Sequence, residues 1–410
     1  MIKLYLVFID GTVPILTGLV FNSLHTTNIF HSYIIFSIVL VIFSIMNGFY
    51  NNYYSIHFSE KIRISFITSF TVIFFQLIYY SYYSINISFL ITLSWILIPI
   101  AILLTRYILK IYNKSVNVTT ISIIGNLYDF RDYEIKILKD KKFKINFYTD
   151  LDQYFEKINY KPESSDLAVI NYPATTFQDN DLLLTINTVS LSEFMEKYLR
   201  KIYLDEPYTY THINTYNTSD FFIKRMIDYI SVFILLPFLI ASSIYVIIMK
   251  FLKGYGGSFI YTQKRYGMNQ NIFNLIKLRT MHIDSDVDGN TVRNDERIYS
   301  FARNLRKYRL DELPQIINIF LGHMHLVGPR AEWVRLSNEY FESIDNYGLR
   351  NIVKPGITGW AQVLYQYGFN IQDSKQKLMY ELYYIKNWSV WLELEICIKT
   401  ITVILDKKGF

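Results

Sequence analysis

The sequence predicts an α+β membrane protein in three parts: four N-terminal transmembrane helices, a Rossmann-like α/β middle domain without a nucleotide fingerprint, and a C-terminal domain that meets the membrane again through a re-entrant helix. Three observations predict it. The long apolar runs of the 410-residue chain crowd into residues 1–110, although the chain as a whole is only 51% hydrophobic, slightly above a soluble average. Short strand-like runs and a helical pattern follow one another between residues 115 and 212, the mark of a parallel α/β unit. A late apolar run, Tyr229 to Met249, has basic residues beyond both ends and a proline near its middle.

Within the first part, residues 1–112, apolar stretches near 4–23, 31–50, 64–83 and 87–109 each approach the roughly 20 residues that cross a bilayer as a helix. Lys61 and Arg63 sit in the second loop, the first and third loops carry no Lys or Arg, and Arg106, Lys110 and Lys114 follow the fourth stretch. The positive-inside bias therefore places the N-terminus and everything after the fourth span in the cytoplasm. A signal peptide is the other reading of the first stretch, but Asp10 interrupts its core and no small-residue cleavage site follows. Asp10 itself is either a buried functional carboxylate or a residue at the interface.

The middle domain, residues 113–212, opens with Val118-Thr-Thr-Ile-Ser-Ile-Ile-Gly125, a strand ending in glycine, and continues with strands near Phe143–Tyr148 and Leu167–Asn171. Gly125 begins no dinucleotide fingerprint, because the second and third glycines that let backbone approach a pyrophosphate are missing. A structural or dimerising role is expected. A polar stretch rich in Thr, Tyr and Asn ends in the linker, residues 213–223.

The net charge of +6 is spread along the chain and forms no compact basic stripe outside residues 303–309, so nucleic acid is not an expected partner. An anionic membrane surface accounts for the same charge. The single cysteine, Cys397, excludes an internal disulfide and any cysteine-based zinc site.

Residues 224–410 form the third part. If the run 229–249 crossed the bilayer, the rest of the chain would lie outside, yet Lys224 and Arg225 before it and Lys250 and Lys253 after it ask for both ends in the cytoplasm. Pro237 supplies a local cause for a bend, so the run is expected to enter, break and return; a kinked fifth span is the alternative. Lys224 and Asp228, four apart on a helix, would face each other, with Lys224 and Arg225 meeting lipid headgroups. Tyr383, Tyr384, Trp388 and Trp391 in the C-terminal stretch suit either amphipathic helices at the interface or an ordinary core.

Asp311 and Glu312 open a run whose apolar positions, Leu313, Ile316, Ile317, Phe320 and Leu321, fall at helical spacing, with Gly322 placed to end it. The dyad is therefore expected at a helix N-terminus, with Pro314 tolerated in the first turn. Free amides there favour negative charge, so an ionised carboxylate and bound phosphate oxygens are expected. Lys277 and Arg279, two residues apart on a strand, would share a face. Arg306, about a turn before the dyad, and Arg330, in a Gly-Pro-Arg turn, offer guanidinium forks suited to phosphate, and Arg265 is a further candidate.

Six motifs follow in order: Lys224-Arg-Met-Ile-Asp228, Gln263-Lys-Arg265-Tyr-Gly267, Lys277-Leu-Arg279-Thr-Met281, Leu310-Asp-Glu-Leu-Pro-Gln315, Val327-Gly-Pro-Arg330 and Lys354-Pro-Gly-Ile-Thr-Gly-Trp-Ala-Gln362. Singly, they read as a cap, a turn or a solvated strand face. As an ordered series they resemble the bacterial sugar transferase family, the monotopic polyprenyl-phosphate phosphoglycosyl transferases, and the preceding spans and α/β segment resemble its long form. The resemblance implies an enzyme that moves a sugar 1-phosphate from a UDP-sugar to undecaprenyl (polyprenyl) phosphate and releases UMP. Asp311 would be the nucleophile, Glu312 with Asp311 would hold Mg²⁺, and Lys277, Arg279, Arg306, Arg330 and Arg265 would hold the substrate. It further implies a homodimer among the lipids of the bacterial inner membrane, with its catalytic domain on the cytoplasmic face, initiating exopolysaccharide, capsule or O-antigen repeat units. Glucose, galactose and an N-acetylated amino sugar all stay open, with an unmodified hexose favoured by the long form. Leu236, His323, His325 and Ala331 depart from the family pattern. A lipid-linked glycosyltransferase that releases UDP and an inactive membrane scaffold are the competing readings.

Overall fold

The computed structural model describes residues 217–282, 295–365, 368 and 370–405 throughout, much of 119–204, and scattered positions before them. The four spans expected in residues 1–112 fall almost entirely outside the described residues. The chain divides into two compact units, Met1–Thr188 and Val189–Phe410.

In the first unit β1 (Thr119–Gly125) lies between β2 (Phe143–Tyr148) and β3 (Leu167–Asn171), parallel to both, and α1 (Asp132–Asp140) connects β1 to β2. Ile121, Ile123 and Ile124 are all buried although successive strand residues face opposite ways, as expected of a central parallel strand covered on both faces. The expected parallel α/β arrangement is present. A short strand, β4 (Thr188–Ser190), straddles the boundary between the units.

The second unit starts earlier than the expected linker. In it α2 (Leu191–Phe194) continues as π-helical turns to Leu199, burying Leu191, Phe194, Met195 and Leu199. The sequence places these residues in the middle domain; they pack with the C-terminal unit because Arg200 and Lys201 find buried partners there in Glu395 and Gln376. Beyond them come α3 (Thr218–Leu252), the antiparallel pair β5 (Ile260–Tyr266) and β6 (Ile272–Leu278), α4 (Arg303–Lys307) and α5 (Gln315–Phe320). Then β7 (His325–Val327) pairs in parallel with β8 (Gly356–Thr358) across α6 (Val334–Ser343), and α7 (Trp360–Leu364), α8 (Ile371–Lys386) and α9 (Val390–Leu405) close the unit.

Helix α3 starts at Asn217, whose side chain accepts the amide of Asp220 at 2.8 Å, an ordinary N-cap. It runs as one helical element of 35 residues through Pro237, so the expected break at that proline is not there. Pro237 and Phe233, whose carbonyl loses its helical donor to the proline, both sit on the exposed side. The buried positions Lys224, Asp228, Ser231, Ser242, Val246 and Lys250 recur at helical spacing and form one stripe. Through that stripe both ends of the helix hold the same unit. Near the start, Lys224 Nζ donates to Val327 O and to the Tyr384 hydroxyl, each at 2.8 Å, and pairs with Glu393. Near the end, Val246 packs with Leu278, Tyr299 and Phe301, and Lys250 Nζ donates to Gly257 O at 3.0 Å. The remaining faces are apolar and open, Phe233 being 80% exposed. By length and composition the helix is able to cross a membrane.

The expected Lys224–Asp228 pair gives way to two separate anchors. Lys224 is fully buried against Glu393 and does not reach lipid headgroups, whereas Asp228 accepts from Leu326 N at 2.8 Å and meets His325 Nδ1 at 2.6 Å and Arg225 Nη1 at 3.2 Å. His325, one of the departures, thus joins the Leu326 amide in fastening Asp228 to β7. On α8 the residues Tyr380, Tyr383 and Tyr384 are buried, while Leu394, Ile398, Ile401 and Leu405 leave an exposed apolar stripe along α9. The core reading therefore holds for these tyrosines.

Candidate active site

Strand β6 delivers Lys277 and the turn that leads into helix α5 delivers the acidic dyad, and one side chain on α5 ties the two elements together. Asn318, 1% exposed on α5, accepts from Ile276 N at 3.1 Å and donates to Asn274 O at 2.8 Å. A buried amide satisfied on both ends sets register more firmly than apolar contact does. Apolar anchors come from Ile316 and Ile319, whereas Ile317, Phe320 and Leu321 face outward. Gly322 ends the helix at φ 82, as its place in the sequence predicts.

The dyad itself is not in an α-helix. Arg309 takes the left-handed conformation, φ 54, and Leu310–Glu312 then form a 3₁₀ turn, with Pro314 as the cap of the six-residue α5. The expected stabilisation by free amides of a long helix is therefore replaced by side-chain cations. Glu312 Oε1 lies 3.2 Å from Lys277 Nζ and 3.6 Å from Arg330 Nη2, and Oε2 lies 3.5 Å from Arg309 Nη1. Burial alone would raise the Glu312 carboxyl, but Lys277, Arg330 and Arg309 outweigh it and hold the group well below the usual carboxylate range. Asp311, 9% exposed, makes no ion pair among the described residues. Burial and then the neighbouring Glu312 charge push its carboxyl up to about 6, against the pull of Lys277 and Arg306.

Arg330 arrives from β7 through Gly328 and Pro329. A side chain at Gly328 would come within 2.7 Å of Lys354 O, and one at Gly359 would overlap Gly328 O, so the two segments cross with no room for a Cβ. Beyond the crossing, Arg330 N donates to Glu381 Oε1 at 3.2 Å and Arg330 O accepts from Arg350 Nη2 at 2.8 Å. Arg350 in turn grips both oxygens of Glu381 at 2.7 Å. This bidentate pair braces the Gly-Pro-Arg turn, which Ala331, one of the departures, follows.

Of the expected substrate residues, Lys277 and Arg330 meet at Glu312, and Arg265 joins them in a cleft also lined by Leu275, Gln315, Met324, Ala331 and Gly356. Arg265 Nη1 donates to Ala331 O at 3.1 Å, Nη2 to Gln263 at 2.6 Å, and Nε is buried with no partner among the described residues. Arg306 donates to Thr280 Oγ1 at 3.3 Å and acts on Asp311 through its charge. Arg279, just past the end of β6, stacks over Tyr261 at 5.5 Å, and among the described residues it forms no ion pair with the dyad. Arg225 and Asp228 sit with β7 and α5, outside the cleft. Sequence reasoning missed Arg309, Gln315 and Glu332, the last held low by Arg350, Arg330 and Arg265 against its burial. Proximity to the two motifs was the available signal.

Among the described residues no three His, Cys, Asp or Glu side chains cluster. Within the dyad Asp311 is the carboxylate open to a magnesium ion, which needs only one or two carboxylates and keeps most of its waters, because it lacks the cations that meet both Glu312 oxygens.

Residues 219–407 match the family described as bacterial sugar transferase. The chain is 36% identical over 190 residues to a UDP-N-acetylgalactosamine-undecaprenyl-phosphate N-acetylgalactosaminephosphotransferase of Aeromonas hydrophila, covering 46% of this chain and 45% of that protein. It is 38% identical over 161 residues to a UDP-glucose:undecaprenyl-phosphate glucose-1-phosphate transferase of Xanthomonas campestris, covering 37% of this chain and 32% of that protein. The chain thus spans less than half the length of these two relatives. A Bacillus subtilis sugar transferase is matched at 34% identity over 187 residues, 46% of this chain and 89% of that protein. Agreement through nearly the whole of that smaller relative is common descent, and the chain belongs to the bacterial sugar transferase family.

Proposed function

We propose that the chain transfers a sugar 1-phosphate from a UDP-sugar to undecaprenyl or another polyprenyl phosphate, releasing UMP and initiating a surface polysaccharide repeat unit. The observation that carries this reading is the division of labour in the dyad: Glu312 gathers Lys277, Arg330 and Arg309, and Asp311 beside it keeps a carboxylate without an ion pair. In the first step an Asp311 oxygen attacks the β-phosphorus of the UDP-sugar. The bond from that phosphorus to the bridging oxygen breaks, and UMP leaves with the electron pair. A phosphate oxygen of the polyprenyl acceptor then attacks the same phosphorus and frees Asp311 as a carboxylate. Lys277, Arg330 and Arg265 orient the diphosphate and offset its charge, the main requirement in phosphoryl transfer. Magnesium, held at Asp311, would add to that neutralisation.

Membrane association follows from the apolar open faces of α3 and α9, which water would solvate poorly. Helix α3 would be about 52 Å long at 1.5 Å per residue, yet both ends are fastened to one unit. That attachment supports a helix dipping into the cytoplasmic face of the inner membrane rather than one that carries residues 250–405 across. The names of the matched relatives include both glucose and N-acetylgalactosamine donors, so the sugar is set by a panel. The test is nucleotide release by the purified chain with polyprenyl phosphate across UDP-sugars. UMP is expected, and Asp311→Asn should lose at least about 10³-fold in kcat, with the sugar phosphate found on the native protein by mass. Release of UDP, or near-normal turnover by the variant, would reject the reading.

A further inference from the structure

Residues 191–204 lie upstream of the matched family region, 219–407, yet they are built into the interior of the same unit. Arg200, 6% exposed, sits in the left-handed conformation at φ 57 and donates from Nη1 to Glu395 Oε2 at 2.7 Å and from Nε to the Tyr383 hydroxyl at 3.3 Å. Its guanidinium lies 4.4 Å over the Trp360 ring, and its carbonyl accepts the Trp360 indole N–H at 3.0 Å. Ile202 N donates to Met379 O at 2.9 Å, Lys201 is fully buried with Nζ donating to Gln376 at 3.2 Å, and Glu196 pairs with Lys386 at 2.8 Å. A non-glycine residue at positive φ is held there only when its surroundings over-determine it, and here four contacts of Arg200 itself do so.

Trp360 is not a remote anchor. It follows Gly359, which abuts Gly328 with no room for a Cβ. Gly328 N donates to Thr358 O at 2.9 Å and Gly356 N to Pro329 O at 2.8 Å, and the next residue is Arg330, at the dyad. We propose that Arg200 is a positioning residue for Arg330: the segment 191–204 clamps Trp360, and through the glycine crossing it fixes where the Arg330 guanidinium meets Glu312 and the donor phosphates. The kinetic part of this inference rests on the phosphotransfer reading; the structural part does not.

Two full-chain variants test it. Arg200→Lys keeps the charge but loses the planar stack and fork, and Arg200→Gln/Glu395→Gln replaces the pair with neutral groups so that no lone charge is left buried. Hydrogen exchange gives a readout that needs no activity. Amides of residues 326–328, 330 and 331 are expected to exchange at least about tenfold faster in both variants, with the β5 and β6 amides unchanged. In turnover the KM for the UDP-sugar should rise about tenfold with a smaller change in kcat, and the effect should shrink to less than about twofold in an Arg330→Ala background, because two residues acting through one contact are not additive. Unchanged exchange at 326–328, 330 and 331, or losses that multiply with Arg330→Ala, would overturn the role of Arg200. Absence of turnover by the native chain with every UDP-sugar would count against the proposed reaction, and the exchange result would then decide this inference alone.

Discussion

Two adjacent carboxylates in one turn have opposite electrostatics because only one of them received the cations. Glu312 holds Lys277, Arg330 and Arg309 within 3.6 Å, while Asp311 faces burial and a neighbouring negative charge. Two outcomes follow at this scale. Glu312→Gln removes the anchor of three cations, and kcat/KM should fall by about 10²-fold or more; loss of the Lys277 and Arg330 positions would appear as a higher KM for the donor. The Asp311 carboxyl is raised towards about 6, and in the proposed reaction its ionised form is the nucleophile, so kcat/KM should decline as pH falls through that region, by about tenfold per unit below it. A profile flat to pH 4 would show that substrate or magnesium restores an ordinary carboxylate. The dyad and its basic neighbours were legible as motifs. Which carboxylate takes the cations was not, because that depends on Arg309 turning into the left-handed conformation and on Arg330 arriving from another strand.

Helix α3 shows how an element can be read correctly in composition and wrongly in partners. The apolar run, its flanking bases and the N-cap are in the sequence, but Lys224 points inward to Glu393 and Tyr384 instead of outward to lipid. Removing one partner of a buried pair strands the other charge, so Lys224→Met should destabilise the unit by about 3–5 kcal/mol, measured as a lower Tm in detergent. Pro237 was expected to break the helix, yet the element continues through it; the proline and the carbonyl it deprives both lie on the open side. Attachment of both ends to one unit makes a topological prediction. Asn217→Cys and Lys253→Cys, each introduced singly, should react with a membrane-impermeant maleimide from the cytoplasmic side alone. Labelling from opposite sides would establish a crossing and remove the C-terminal unit from the nucleotide donor.

At the scale of the whole unit, pH acts through His325. Burial first, with Lys224 nearby, lowers its pKa to about 4 despite Asp228, so it is neutral when folded and takes a proton readily when unfolded. The unfolded chain therefore binds more protons between pH 6.5 and 4, and stability falls as pH drops through that window. The loss approaches about 3 kcal/mol near pH 4, and His325→Gln should flatten that part of a Tm-against-pH curve. Sequence by itself determined the parallel α/β run, the apolar helix, the order of six motifs and the acidic and basic residues of the cleft, because hydrophobic period, turn residues and short motifs are local in the chain. Tertiary structure alone decided that Lys224 and Asp228 separate, that residues 191–204 belong with the C-terminal unit, and that Arg350 and Glu381 brace Arg330. Those pairings join residues far apart in sequence, and a buried charge takes whichever partner the packing brings within hydrogen-bond reach, which no local pattern specifies.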